Sequence, residues 1–246
     1  MGYAQFLSVI TAVSRPELLP LIAWSVPAEA EWILVSDGPR EIPGRLRSHL
    51  LVEGPSTGQW GDVQRRIGLE TATRPFVYFL DDDNLMLPML ADLLIPFLEN
   101  ERHPGVLFGL VTNRETQTHL WPAPLKVERG RVDTAMFLGR RNVIMKLRFS
   151  EPGYGQGWPD LGSERHADFI FLEAFENQFG LSRVPAIYGF HNGVDFLRNT
   201  EPESYRDLEA QKLTPLALTT ILSDRLIRAD VPQWWHKENT SPSSDQ

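Results

Sequence analysis

The sequence of 246 residues contains no cysteine. A disulfide framework, a thiolate metal site and a cysteine nucleophile are therefore excluded. No apolar run approaches the ~20 residues that a membrane-spanning helix requires, and residues 1–11 lack both a basic region and a small-residue cleavage site. These absences predict a cytoplasmic protein without a transmembrane segment, and peripheral contact with a membrane surface stays open.

Motifs that identify several common enzyme classes are also missing. The sequence has no P-loop, no Gly-x-Gly-x-x-Gly fingerprint, no His-Glu-x-x-His helix and no Asp-x-Asp-x-Asp-Gly calcium loop. The formal net charge of −8 argues against a broad surface for nucleic acid, so we expect no nucleic-acid partner. A hydrophobic share of 42% and a charged share of 23% are those of an ordinary globular domain.

Strand and helix patterns alternate along the first hundred residues. This alternation predicts an α/β fold with a mostly parallel sheet and helices on both faces. The second half is less regular, and its glycine-rich stretch at 151–162 predicts a lid or binding loop, with a disordered segment as the alternative. Apolar runs predict strands at 6–13, 32–36, 50–52, 76–80, 106–112, 118–121, 135–139 and 184–188, and periodic patterns predict helices from about 14, at 62–72, from about 87, and at 140–145, 165–179 and 203–228.

An apolar run at 76–80 leads directly into Asp81, Asp82, Asp83 and Asn84. In open α/β sheets the ligand crevice lies outside the carboxyl ends of the strands, so this strand delivers its acids to that crevice. Adjacent carboxylates repel one another and are costly to desolvate unless a cation or hydrogen-bond donors meet them. The pattern predicts a site for a divalent metal, and a solvated turn that caps the next helix is the alternative.

Other polar residues also fall near strand or helix ends. Asp37 follows a predicted strand and should share the sheet edge of the acids, unless it only initiates the Asp-Gly-Pro turn. Arg65 and Arg66 lie near the start of a helix, where the macrodipole does not favour a cation. They need an anionic partner, or they belong to a solvated face.

Asp168 heads an apolar helical stripe formed by Phe171, Phe175 and Phe179. It is a candidate acid or base, and the alternative is an acid that complements the helix dipole. Glu164 and Glu173 are rivals for the same role. His191 follows a predicted strand in a glycine-flanked turn, where a histidine is more often structural than a ligand.

Four segments, in this order, resemble the nucleotide-binding half of GT-A-fold glycosyltransferases of family 2. The Gln-Arg and Asp-Asp-Asp-Asn pieces also resemble the family 43 glucuronyltransferases, and residues 133–137 resemble the acceptor-side strand. The resemblance covers roughly residues 6–193 and implies a GT-A, Rossmann-like fold with a smaller acceptor-side subsheet. The four segments are VITAVSRP at 9–16, WILVSDGP at 32–39, GDVQRR at 61–66 and VYFLDDDN at 77–84.

The resemblance implies roles on the nucleotide side of the site. Asp37 would hydrogen-bond the nucleobase, and Thr11 and Arg15 would line the nucleotide pocket. Arg65 would contact the base or the ribose.

The resemblance also implies roles at the reacting centre. Asp81 and Asp82 would bind the ribose and orient the donor, and Asp83 would hold Mn²⁺ or Mg²⁺. His191 would complete the contacts to the metal or the diphosphate, and Asp168 would act as the catalytic base.

The sequence thus predicts a metal-dependent, inverting glycosyltransferase that moves a sugar from a UDP-sugar to a hydroxyl of a glycan, lipid-linked or small-molecule acceptor. Two alternatives stay open, a non-catalytic module that binds a sugar or nucleotide, and a nucleotidyltransferase. We expect one catalytic domain over residues 1–236, with a nucleotide-binding half (1–100), an acceptor-side half (101–200) and C-terminal helices (201–236). Residues 237–246 are expected to form a disordered tail, and Trp234 and Trp235 precede it.

Overall fold

The computed structural model describes residues 2–43, 46, 49–56, 61–87, 90–101, 103–114, 117–148 and 167–193. The predicted lid loop at 151–162, Glu164 and everything after residue 193 lie outside the described residues. The expected C-terminal helices, the expected tail and the tryptophan pair therefore stay predictions. In the described part of the chain, no helix is both long and apolar enough to cross a membrane.

One sheet of nine strands forms the centre of the described structure. Its strand order is β3-β2-β1-β4-β8-β6-β9-β5, and β7 pairs with β6 beside this path. The strands are β1 (Leu7–Val13), β2 (Glu31–Asp37), β3 (Leu50–Gly54), β4 (Phe76–Phe79), β5 (Leu85–Met86), β6 (Gly105–Arg114), β7 (Gln117–Trp121), β8 (Phe137–Arg140) and β9 (Ser182–His191).

Helices connect most of these strands. Two short 3-10 turns, Pro16–Leu18 and Thr134–Met136, lie next to the sheet edge where the predicted site residues fall. The α-helices are α1 (Leu19–Ser25), α2 (Asp62–Thr71), α3 (Leu90–Glu101), α4 (Arg141–Ile144) and α5 (Ala167–Phe179).

The sheet has a parallel half and a mixed half. Strands β3, β2, β1 and β4 are parallel neighbours, while β8 joins β4 and β6 in antiparallel pairing and β6 pairs with β9 in parallel. The predicted α/β fold, with a mostly parallel sheet and flanking helices, is confirmed. Because β1, β2 and β4 are parallel, their carboxyl ends meet at one edge and bring their following loops together.

Aromatic packing fixes the position of α5 on the sheet. The Phe137 ring on β8 lies edge to face with Phe171 and Phe175, at centroid distances of 5.4 and 4.9 Å. All three side chains are fully buried, as the predicted apolar stripe of α5 requires. Such pairs stabilise a core beyond the area that they bury. The stripe therefore holds the first turn of α5, with Asp168, against the sheet.

The predicted strand at 135–139 begins later than expected. Thr134–Met136 form a 3-10 turn, and the Asp133 side chain accepts a hydrogen bond from the Ala135 N–H at 2.8 Å. A short acidic side chain bonds nearby backbone groups more readily than it joins a strand.

Strand β9 is longer than its apolar run. It extends to His191 because it pairs with β6 along most of its length and with β5 near its end. The two residues of β5 are too few to produce a sequence pattern. His191 therefore lies at the end of a strand, whereas the sequence placed it in the following turn.

Helix α2 packs directly on β1 at Gly68. A Cβ atom at Gly68 would overlap Cγ2 of Ile10, so this contact requires a residue without a side chain. We expect Gly68→Ala to lower the free energy of unfolding by about 1 to 3 kcal/mol, because overpacking outweighs the gain in helix propensity.

Chemical denaturation measures this change. Glu70→Ala, at an exposed position of the same helix, is the matched control and should alter stability by less than about 0.5 kcal/mol. A stabilised Gly68→Ala variant would contradict the close contact between α2 and β1.

Candidate active site

A cavity of about 580 Å³ lies at the edge of the sheet where β1, β2 and β4 end. Its volume is typical of pockets that bind small ligands and cofactors. The residues that line it come from the loops after these strands, from the first turns of α2 and from the end of β9. They are Ala12, Val13, Ser14, Arg15, Asp37, Gly61, Gln64, Arg65, Asp81, Asp82, Asp83, His191 and Asn192.

Most of the predicted site residues lie together in this cavity. Thr11 is an exception, since the described structure does not place it among the lining residues. Its side chain is fully buried, and its hydroxyl accepts a hydrogen bond from Trp32 Nε1 at 3.1 Å. Ala12 and Val13, at the end of the same strand, line the cavity at this point.

Asp82 is buried and fully engaged by the loop after β1. Its carboxylate accepts five hydrogen bonds of 2.5 to 3.0 Å, from the backbone N–H and hydroxyl of Ser14 and from the backbone N–H, Nε and Nη2 of Arg15. A carboxylate has about four lone-pair sites, so none is left for a ligand in this arrangement. The geometry assigns Asp82 an anchoring role, and the contacts with the ribose and the donor that the resemblance implies for Asp81 and Asp82 stay predictions.

Arg15 also meets the third acid of the run. Its Nη2 lies 2.9 Å from Asp83 Oδ2, and the Arg15 side chain is 44% exposed. Burial raises the pKa of Asp83 above its usual range, and the charge of Asp81 adds to this rise, whereas Arg15 opposes it. A further cation at this place would therefore stabilise the charged form of the Asp83 carboxylate.

Arg65 neutralises Asp81 from the other side. The Arg65 side chain is 7% exposed, and its guanidinium forms an ion pair with Asp81 and lies 3.7 Å from Asp62. Although burial opposes its charge, the carboxylates of Asp81, Asp168 and Asp62 raise the pKa of Arg65 above its usual range. The solvated-face alternative is wrong for Arg65. This side chain is a fixed positive charge at the wall of the cavity.

Asp37 meets a residue that the sequence analysis did not select. Gln64 Nε2 donates hydrogen bonds to Asp37 Oδ1 at 3.0 Å and to the Pro55 carbonyl at 3.2 Å. Gln64 is fully buried although it belongs to the first turn of α2. The sequence signal for this contact is that Gln64 lies on the apolar face of α2, where a polar side chain needs a buried partner.

Asp168 lies beside the cavity, next to residues that line it. Its Oδ1 accepts a hydrogen bond from the Thr134 hydroxyl at 3.2 Å. Desolvation raises the pKa of Asp168, and the charge of Asp81 adds to this rise, while Arg65 and Thr134 lower the pKa. The rival Glu173 is exposed on the same helix, so burial and charge favour Asp168 as the base.

His191 connects the cavity wall to a second buried acid. Its Nδ1 lies 3.2 Å from the Thr112 hydroxyl and its Nε2 lies 3.7 Å from Asp133 Oδ2. The Trp121 ring packs edge to face on the imidazole at 5.4 Å. Burial raises the pKa of Asp133 well above its usual range, and the charges of Asp168 and Asp81 add to this rise. Sequence analysis missed Asp133, since a cap residue and a site residue share the same pattern.

The three consecutive acids do not form a cage for a metal. Among the described residues, no group of three acidic or imidazole side chains converges as a ligand set. Asp81 pairs with Arg65, while Asp82 and Asp83 pair with Arg15. Guanidinium groups therefore neutralise carboxylates for which the sequence predicted a divalent ion. Asp83 and His191 do line the same cavity and offer one oxygen and one nitrogen donor.

The fold of the described residues matches solved structures. No protein-family profile matches the chain, and no curated protein matches its sequence. The structure is similar to residues 1–349 of S. aureus TarS, a GT-A-fold glycosyltransferase, with a TM-score of 0.56 and 13% identity. The similarity covers 78% of this chain and 63% of that one. The chain has the GT-A fold.

Two further structures of the same TarS fragment contain ligands. The structure with UDP matches at a TM-score of 0.52 and 14% identity, over 75% of this chain and 60% of that one. The structure with UDP-GlcNAc matches at a TM-score of 0.53 and 13% identity, over 75% of this chain and 58% of that one. The chain thus spans about three fifths of the TarS fragment, and the likeness establishes the fold alone. The predicted resemblance to family 43 stays a prediction.

The anchoring role of Asp82 predicts a large loss of stability when its charge is removed. In Asp82→Asn the amide offers fewer acceptor sites and sets its own N–H groups against the donors of Ser14 and Arg15. We expect the free energy of unfolding to fall by about 2 to 4 kcal/mol.

Asp83→Asn is the matched control for this measurement by chemical denaturation. Its ion-pair partner Arg15 is nearly half exposed, so the control should lose less than about 1 kcal/mol. Equal losses in the two variants would refute the special role of Asp82.

Proposed function

We propose that the protein is a glycosyltransferase that moves a sugar from a nucleotide donor, a UDP-sugar, to a hydroxyl acceptor. One observation carries this proposal. In a GT-A fold, a single cavity at the carboxyl ends of the parallel strands combines Asp37, two arginines and Asp83. These groups match the base, the phosphates and the cation of a nucleoside diphosphate. The TarS complexes with UDP and UDP-GlcNAc support the choice of donor.

Asp83 and His191 fit a divalent ion that the protein shares with the donor. Mg²⁺ and Mn²⁺ accept one or two protein ligands and take the rest from phosphate oxygens and water, so a cage of protein groups is not required. When bound, such an ion would stabilise the negative charge of the departing diphosphate as a Lewis acid. Arg15, already 2.9 Å from Asp83, supplies positive charge at the same place.

Asp168 is the proposed base on the acceptor side. Transfer breaks the bond between the anomeric carbon and the diphosphate oxygen and forms a bond to the acceptor oxygen, which loses its proton. A partly buried carboxylate with a raised pKa suits this proton transfer, because general bases work best near the operating pH. Direct displacement of this kind inverts the anomeric centre.

Release of UDP from UDP-GlcNAc in the presence of Mn²⁺ tests this function. The wild-type protein should release UDP, and Asp83→Ala should lower the rate by at least about 100-fold, because the charge of the leaving group loses its stabilisation. Glu99→Ala, at an exposed position of α3, is the control and should keep the wild-type rate.

A folded Asp83→Ala variant with full, Mn²⁺-dependent turnover would refute the proposed site. A wild-type protein that binds UDP-sugars but releases no UDP with any donor or acceptor would identify a binding module.

The role of Asp168 separates binding from catalysis. Asp168→Asn keeps the shape of the side chain but cannot take the proton, so transfer should fall about 100-fold or more while the Kd for UDP changes less than about threefold. Calorimetry gives the Kd, and UDP release gives the rate. Glu173→Gln is the matched control on the same helix. Wild-type turnover in Asp168→Asn, with loss in Glu173→Gln, would move the role to Glu173.

A further inference from the structure

Gln64 occupies an unusual position between two strand ends. Its side chain is fully buried at the wall of the cavity, and its amide nitrogen donates both hydrogens, one to Asp37 Oδ1 at 3.0 Å and one to the Pro55 carbonyl at 3.2 Å. Asp37 ends β2, and Pro55 follows β3. One amide therefore connects the ends of two neighbouring strands.

The chemistry of the two partners determines which way the amide points. Both partners are acceptors, so a reversed amide would set its carbonyl oxygen against a carboxylate and a carbonyl. In the observed orientation, the Gln64 Oε1 atom is buried and has no hydrogen-bond partner among the residues that the structure describes. An unpaired buried polar atom reduces stability, so this amide keeps its two donor bonds at the cost of its oxygen.

Gln64 is also held firmly in place. Helix α2 begins after Gly61, whose φ of 90° lies in the left-handed region. A Cβ at Gly61 would lie 2.9 Å from the Ala12 Cβ, so the start of the helix approaches the end of β1 very closely. This contact fixes the backbone from which the Gln64 side chain reaches Asp37.

We propose that Gln64 sets the nucleobase preference of the cavity by holding the Asp37 carboxylate in one orientation. This inference rests on the proposed function, which supplies the nucleotide. Uracil presents an N3–H donor to a carboxylate, whereas cytosine presents an unprotonated N3 that repels it. A fixed carboxylate distinguishes these bases, while a carboxylate free to rotate can turn away from cytosine. Gln64 is a positioning residue in this scheme.

Calorimetric Kd values for UDP, CDP and inorganic pyrophosphate, each with Mn²⁺, test the proposal. Gln64→Met keeps the length of the side chain but removes the donors. It should weaken UDP binding about tenfold, lower the UDP-to-CDP preference towards one, and change pyrophosphate binding less than about twofold. Gln178→Met, on α5 away from the cavity, is the matched control and should change none of the three values.

Two results would overturn the inference alone. The first is a folded Gln64→Met protein with an unchanged UDP-to-CDP preference, and the second is an equal loss of affinity for UDP, CDP and pyrophosphate. If Gln64→Met does not fold, Gln64→Glu is judged by the same criteria, since its carboxylate also lacks the donors and repels Asp37. A wild-type protein that binds neither UDP nor CDP would overturn the proposed function together with this inference.

Discussion

The site depends on how three consecutive carboxylates are neutralised at the end of β4. Such a run repels itself and is costly to bury, yet Asp82 is only 2% exposed. Arg15 meets Asp82 and Asp83, and Arg65 meets Asp81. Two guanidinium groups thus divide the three charges between them, and the fold can hold a dense negative cluster at a ligand cavity.

The same ion pairs connect distant parts of the chain. Asp82 joins the loop after β1 to the turn after β4, across 67 residues of sequence in its bonds to Arg15. Arg65 joins α2 to that turn and also acts electrostatically on Asp168 at the start of α5. The turn after β4 and the start of α5 therefore share one network of charges. A change at Arg65 would affect both elements.

Local patterns predicted the fold and the convergence of the acids, because apolar runs mark the parallel strands whose carboxyl ends share an edge. Local patterns did not predict which groups contact these side chains. The oxygens of Asp82 are occupied because Ser14 and Arg15 supply donors to them, and this contact between distant segments leaves no trace in the local sequence. Thr11 points into the core because strand register, rather than residue type, selects its face. Gln64 was missed because a polar residue in a first helical turn is usually solvated.

The most direct test of the account is a crystal structure of the protein with UDP and Mn²⁺. The account predicts the nucleotide in the cavity at the end of β4, with uracil next to Asp37 and the diphosphate between Arg15 and Asp83. A cavity without nucleotide at saturating UDP, or UDP bound at another surface, would contradict it.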